Sequence, residues 1–231
     1  MFPIGDTDVR DSGPAIITTA LLILNTIAFG IELTVGVEGI DQLFRQYGVV
    51  PAQIGQGRQL YSLFTSMFLH GGWMHLISNM VFLMVFGDNI EAVLGKIGYL
   101  LFYLGGGIAA SVTHIVVNWG SSMPSVGASG AIAAILGAYV VMFPRSRIKV
   151  LYFSWWGIGI TRITAIVFLG FWALMQFLNG VAALGAETAQ TGGVAVWAHI
   201  GGFVAGLVIG FLFKGQAQKF KTGQRGASRT M

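Results

Sequence analysis

Long apolar stretches and short polar ones alternate along the 231 residues, with apolar runs at 14–35, 73–93, 97–119, 127–143, 163–183 and 194–213. A helix needs ~20 mostly apolar residues to cross a hydrocarbon core. The pattern therefore predicts an all-α polytopic membrane protein, a bundle of six transmembrane helices. One connection breaks the rhythm. Residues 36–72 carry Ile40, Leu43, Phe44, Tyr47, Leu60, Tyr61, Phe64 and Phe68 but few charges. A connection of that length and polarity should not hang in water; short amphipathic helices in the membrane interface are expected instead, forming a long interfacial first loop. The division that follows is a short cytoplasmic segment at 1–13, one membrane domain at 14–213, and a basic cytoplasmic tail at 214–231, expected to be loosely ordered. Residues 1–13 lack the cationic start and small-residue cleavage site of a signal peptide.

Composition sharpens this. Only 10% of residues are charged and 55% are hydrophobic, with mean hydropathy +0.74, whereas soluble domains carry about 25% charged residues. Thirty-four glycines in so apolar a chain point to closely packed helices. The absence of cysteine removes disulfides, thiolate metal sites and a thiol nucleophile together. Six crossings place both ends on one side. Lys96, Arg145, Arg147, Lys149 and the tail residues Lys214, Lys219, Lys221, Arg225 and Arg229 all fall there, while Arg45 and Arg58 opposite are offset by Glu38, Asp41 and Glu187. Basic connections stay in the cytoplasm, so the termini are expected to be cytoplasmic, and the net charge of +4 reads as topology rather than nucleic-acid binding. A bacterial plasma membrane is the expected location.

Candidate chemistry begins at Gly127-Ala128-Ser129-Gly130. Alone, a serine among small residues is an ordinary helix-packing feature. Topology changes its standing. Ser129 opens the fourth stretch at its outer end, His199 lies about five residues or ~8 Å into the sixth, and His75 and Asn79 occupy the first two turns of the second. All four come to one depth, and ionisable residues inside crossings are functional candidates by default. A serine hydroxyl becomes a nucleophile when a neutral imidazole takes its proton, which makes His199 the base of a Ser–His dyad. His75 and Asn79, four apart, share a helix face and with the Ser129 backbone N–H can donate to an oxyanion. No acid is placed to complete a triad: Asp88 lies ~20 Å deeper than His75 by helical rise, and Glu32 approaches only from the end of the first stretch. No metal or cofactor is called for, since His75 precedes Leu76 and no His-Glu-x-x-His motif is present. A transporter would show inverted repeats, and none is found. His70 and His114 read as structural. Gly202, Gly206 and Gly210 recur every four residues as a packing stripe, expected to face Ser129, Ala133 and Gly137.

Three segments, His70-Gly71-Gly72-Trp73-Met74-His75-Leu76-Ile77-Ser78-Asn79, Gly127-Ala128-Ser129-Gly130 and Ala198-His199-Ile200-Gly201-Gly202, resemble in order and spacing the rhomboid intramembrane serine proteases. The resemblance covers nearly the whole chain. It implies cleavage of transmembrane segments near the outer face, with Ser129 as nucleophile, His199 as base, His75, Asn79 and the Ser129 N–H as oxyanion hole, and Gly127, Gly130, Gly202 and Gly206 shaping the site. It implies a substrate gate at 153–180, with Phe153, Trp172 and Gln176 as its candidates, and in the loop 185–193. Partners would be transmembrane substrates within the lipid bilayer and not nucleic acid, the substrate's identity and the oligomeric state staying open. Two departures matter. Ala133 stands where many members carry an aromatic against the histidine, and Tyr61-Ser62 where many carry Trp-Arg. The competing reading is a catalytically inactive relative that binds membrane clients.

Overall fold

The computed structural model describes residues 2–7, 14–155, 157–184 and 195–227. Helix α1 (Ile16–Glu32) starts against a distant acid: the Glu91 carboxylate accepts from the backbone N–H groups of Ile17 (2.9 Å) and Thr18 (2.8 Å) and from the Thr18 hydroxyl. An acid on the free N–H groups of a first turn satisfies donors that have no helical partner and complements the helix dipole. The long first connection folds into short helices, α2 (Gly36–Tyr47), α3 (Pro51–Ile54) and α4 (Ser62–Thr65), then a 3₁₀ turn at Ser66–Phe68.

Helix α5 (Trp73–Val117) runs unbroken by hydrogen-bond pattern yet contains a reversal at Gly95, whose φ of 71° and ψ of 167° only glycine adopts readily. The arms 73–94 and 96–117 fold against each other there, with Gly87 beneath the Tyr99 hydroxyl. Helices α6 (Ser129–Met142), α7 (Ala165–Leu184) and α8 (Val196–Ala227) complete the bundle. Three helical segments are long and apolar enough to cross a membrane, Trp73–Val117, Ala165–Ala183 and Val196–Phe220; α1 and α6 are apolar but shorter.

Helix α6 is the centre, with twelve of its fourteen residues buried. Its most extensive neighbour is α8, and glycine makes their approach possible. A side chain at Gly202 would strike the Gly130 carbonyl, one at Gly206 the Ala134 carbonyl, and one at Gly137 the Phe203 carbonyl. The glycine stripe thus lies over Gly130, Ala134 and Ala138 rather than over Ser129, Ala133 and Gly137, one residue round the helix from expectation. Gly137 supplies the reciprocal gap for Phe203.

Two expectations are corrected. The protein is mostly helical rather than all-α: β1 (Phe2–Gly5), β2 (Arg147–Ser154) and β3 (Gly157–Thr164) form an antiparallel sheet in that order, with β2 and β3 registered from Arg147↔Thr164 to Ser154↔Gly157. The cause is a two-residue period within what reads as a basic connection. Ile148 and Val150 are fully buried while Arg147 and Lys149 alternate with them to the other face, and β-branched residues favour that arrangement. The Tyr139 hydroxyl ties the sheet to α6 through the Asp6 carboxylate and the Ser146 hydroxyl. The segment after Phe213, expected to be loose, continues α8 to Ala227. Lys, Gln and Ala are good helix formers; Ala217 is buried, Phe220 packs on the core, and the Gln216 amide donates to the Val93 carbonyl at 2.6 Å.

The seam makes a stability prediction. Gly206→Val drives a branched side chain into the α6 backbone, and overpacking of a filled core costs ~1–3 kcal/mol or more. Its melting temperature in detergent should fall clearly below that of Gly215→Val, where open space surrounds the glycine. Equal melting temperatures would remove the seam from the account.

Candidate active site

Ser129 is the first residue of α6, and the first N–H to enter the helical ladder is that of Ile132, onto the Ala128 carbonyl at 3.0 Å. The Ser129 N–H therefore points out of the helix end, at the positive pole of its dipole. The approach to this end is held by the first connection. Val49 and Ser125 exchange backbone hydrogen bonds (2.9 and 2.8 Å), Ala52 donates to Ser121, and the Gly127 N–H donates to the Ser66 carbonyl at 2.8 Å. The Tyr61 hydroxyl on the Gln46 carbonyl (3.1 Å) and the Thr65 hydroxyl on the Tyr47 carbonyl (2.6 Å) anchor the stretch where the Trp-Arg pair is missing.

The structure brings Ser129 and His199 together: the hydroxyl oxygen lies 2.8 Å from His199 Nε2. His199 is buried, 8% exposed. Its other nitrogen, Nδ1, lies 2.9 Å from the Gln176 amide oxygen on α7. An amide oxygen at Nδ1 is an acceptor for a ring proton there, and a ring protonated at Nδ1 turns the lone pair of Nε2 to the serine. One turn earlier on α7, the Trp172 ring sits 5.9 Å from the imidazole at 38°, itself resting 5.9 Å from Phe203. Ala133 is fully buried beside the glycine stripe, so the aromatic against the histidine comes from α7 rather than α6.

His75 faces the same point from α5. Its Nδ1 accepts the Gly71 backbone N–H at 3.2 Å, which leaves the proton on Nε2 as a donor. A side chain at Gly127 would put its Cβ 2.7 Å from that Nε2 and 3.4 Å from the Ser129 hydroxyl oxygen. With φ at +133° besides, glycine is required at 127 both for the backbone and for the approach of His75. Asn79, one turn on, is buried with its amide nitrogen lacking a hydrogen-bond partner among the described residues. A buried donor without an acceptor costs about 1–3 kcal/mol, and donors left open in this way are suited to an oxygen that arrives during a reaction. Gly130 and Gly202 meet behind Ser129, and Gly206 lies a turn deeper in the same seam. A small cavity beside the serine is lined by Ser66, Gly107, Ser111, His114, Ser125 and Gly127.

No carboxylate reaches His199 among the described residues. Glu32 is buried but accepts the His70 backbone N–H (3.0 and 3.2 Å), fastening the first connection to α1, and Asp88 is engaged by Asn89. His70 packs edge-on to His75 at 5.2 Å; burial, with the neighbouring His75 adding to it, pushes His70 down to about 4, so it stays neutral near pH 7. His114 pairs with the Asn118 amide at 3.3 Å while lining the cavity. Among the described residues no three His, Asp or Glu side chains cluster as metal ligands. Of the gate candidates, Trp172 and Gln176 stand at the site. Phe153 does not: it is 61% exposed in β2, in the hairpin that precedes α7, at the end of that helix remote from Gln176. The loop 185–193 lies outside the described residues. The Nδ1 contact of Gln176 is the feature the sequence did not reveal, because it depends on the rotation of α7 against α8; an amide in an apolar stretch, one of two there with Asn179, was its only signal.

Comparison with known proteins gives the family. The Rhomboid domain family matches residues 57–216. RHOMBOID-like protein 6, mitochondrial, of Arabidopsis thaliana is 31% identical over 166 residues, 72% of this chain and 48% of its own. The Bacillus subtilis (strain 168) protein named "Putative rhomboid protease YdcA" is 30% identical over 154 residues, 66% of each chain. Rhomboid protein 1, mitochondrial, of Saccharomyces cerevisiae is 29% identical over 163 residues, 68% of this chain and 43% of its own. The chain thus spans about half the length of the first of these relatives. It is an integral membrane protein and belongs to the rhomboid family.

Proposed function

We propose that this chain is an intramembrane serine protease that cleaves transmembrane segments near the outer face of a bacterial plasma membrane. Six crossings, made by α1, the two arms of α5, α6, α7 and α8, leave the sheet and both termini in the cytoplasm, in keeping with the basic residues Arg145, Arg147, Lys149 and Lys214 at that end. The reading rests above all on the 2.8 Å contact between the Ser129 hydroxyl and His199 Nε2, inside a family with proteases among its names.

The chemistry runs through these groups. Ser129 Oγ attacks the scissile carbonyl carbon as His199 Nε2 takes its proton. The carbonyl oxygen gains the negative charge, and the Ser129 N–H, His75 Nε2–H and the Asn79 amide donate to it. Collapse expels the amine, which takes the proton from His199, and leaves an ester on Ser129. A water then repeats the sequence, with His199 again as base, and frees the acid product. The small cavity beside Ser129, lined by serine, glycine and alanine with Val49, Met67 and Val126, has room for that water.

Incubating the purified protein in liposomes with a transmembrane peptide carrying helix-breaking residues tests the reading. Cleavage is expected from the wild type and none from Ser129→Ala. Cleavage that survives in Ser129→Ala would refute the assignment; client binding without cleavage in both proteins would favour the inactive relative. Asn79→Ala removes one oxyanion donor and should lower the cleavage rate about 100- to 1,000-fold with little change in melting temperature, because the amide nitrogen has no hydrogen-bond partner among the described residues. A rate within twofold of wild type would exclude Asn79 from the oxyanion hole.

A further inference from the structure

The dyad reading leaves one demand unmet. An imidazole acts as base on Ser129 only while Nε2 is bare, yet neutral imidazole on its own prefers to carry its proton on Nε2. In serine hydrolases with three members an acid on Nδ1 sets the tautomer and the ring's orientation, and among the described residues no acid reaches His199. The side chain on Nδ1 is an amide.

We infer that Gln176 is a positioning residue for His199: it holds the ring proton on Nδ1, and with Trp172 it fixes the plane of the imidazole, so that α7 completes the base. This rests on the protease reading and deepens it. Three observations carry it. The Gln176 amide oxygen lies 2.9 Å from Nδ1 while the serine oxygen lies 2.8 Å from Nε2, so both ring nitrogens are engaged at once, with an acceptor on the side away from the serine. Trp172 and Gln176 are four residues apart on one helix, which places them on one face, and both meet the same ring, one as a tilted aromatic neighbour and one at Nδ1. The remainder of that helix is dominated by exposed apolar side chains, Phe171, Leu174, Phe177 and Leu178 among them. Of the two amides in that helix Asn179 is exposed, while Gln176 is half-buried and turned to the imidazole.

Helix α7 packs on α8 and α6 far less extensively than those two pack on each other. The partner of Nδ1 therefore sits on the most loosely held of the three helices. Displacing α7 from α8 breaks the contact and returns the imidazole to its own tautomer preference, which lowers the share of rings with Nε2 bare. The base is thus at its best with α7 seated.

The test reads the proton directly. In protein labelled with ¹⁵N-histidine and held in liposomes, the His199 signals, identified by their loss in His199→Gln, should be those of a ring with Nδ1 protonated and Nε2 bare. Gln176→Met, which keeps the length and removes the acceptor, should lose that signature and slow labelling of Ser129 by a fluorophosphonate roughly 10- to 100-fold, part of the ~100- to 10,000-fold that a placed base contributes. Gln176→Glu restores an acceptor; it should keep the Nδ1–H signature and, by placing an acid against the ring, shift the acid limb of the labelling profile to higher pH. A wild-type spectrum with the proton on Nε2 overturns the inference without any variant. So does a Gln176→Met protein with wild-type signature and labelling rate. Absence of labelling in the wild type would count against the protease reading, while the spectrum would still decide the tautomer.

Discussion

Backbone-to-backbone contact between α6 and α8 is the constraint from which the site follows. Ser129 and His199 are 70 positions apart, and a hydrogen bond between them requires the two helices to meet without side chains between. Gly202 over the Gly130 carbonyl, Gly206 over the Ala134 carbonyl and Gly137 under the Phe203 carbonyl leave that space empty. In a bilayer, where burial of apolar surface gives helices little reason to associate, close packing of small residues is the main source of adhesion. The same glycines thus hold the bundle together and set the reach of the imidazole.

Around this seam the other elements act as clamps. Glu91 fastens the start of α1 to α5, and Glu32 fastens its end to the first connection. The first connection in turn is stitched to residues 121–127 and delivers Gly127 at a backbone angle open only to glycine. Two of the few acids in the chain are therefore spent on backbone N–H groups. Neither is free to complete a triad, and the group on His199 Nδ1 is the Gln176 amide.

Much of this was legible in the sequence. The apolar stretches located every long helix, because a membrane crossing requires length and composition that chance rarely supplies. Ser129, His199, His75 and Asn79 stood out because polar groups at one depth are expensive without a purpose. What escaped was set by geometry rather than composition. The hairpin at 147–164 reads as a basic connection until the inward alternation of Ile148 and Val150 is seen against Arg147 and Lys149. The glycine stripe was plain, but its phase over α6 depends on helix rotation and came out one residue away. Gln176 looked like a gate residue, since nothing in a string of letters tells which ring its amide will meet. The end of α8 followed local helix propensity where its charge suggested a loose tail.

The account stands or falls on whether His199 makes Ser129 reactive. Treating the purified protein with a fluorophosphonate and locating the adduct by peptide mass mapping, in wild type and in His199→Ala, decides it. A single adduct on Ser129 in the wild type, lost or slowed by at least ~100-fold in His199→Ala as expected for removal of a general base, is the predicted result. An adduct on another residue, or labelling of Ser129 at the same rate without His199, would contradict it.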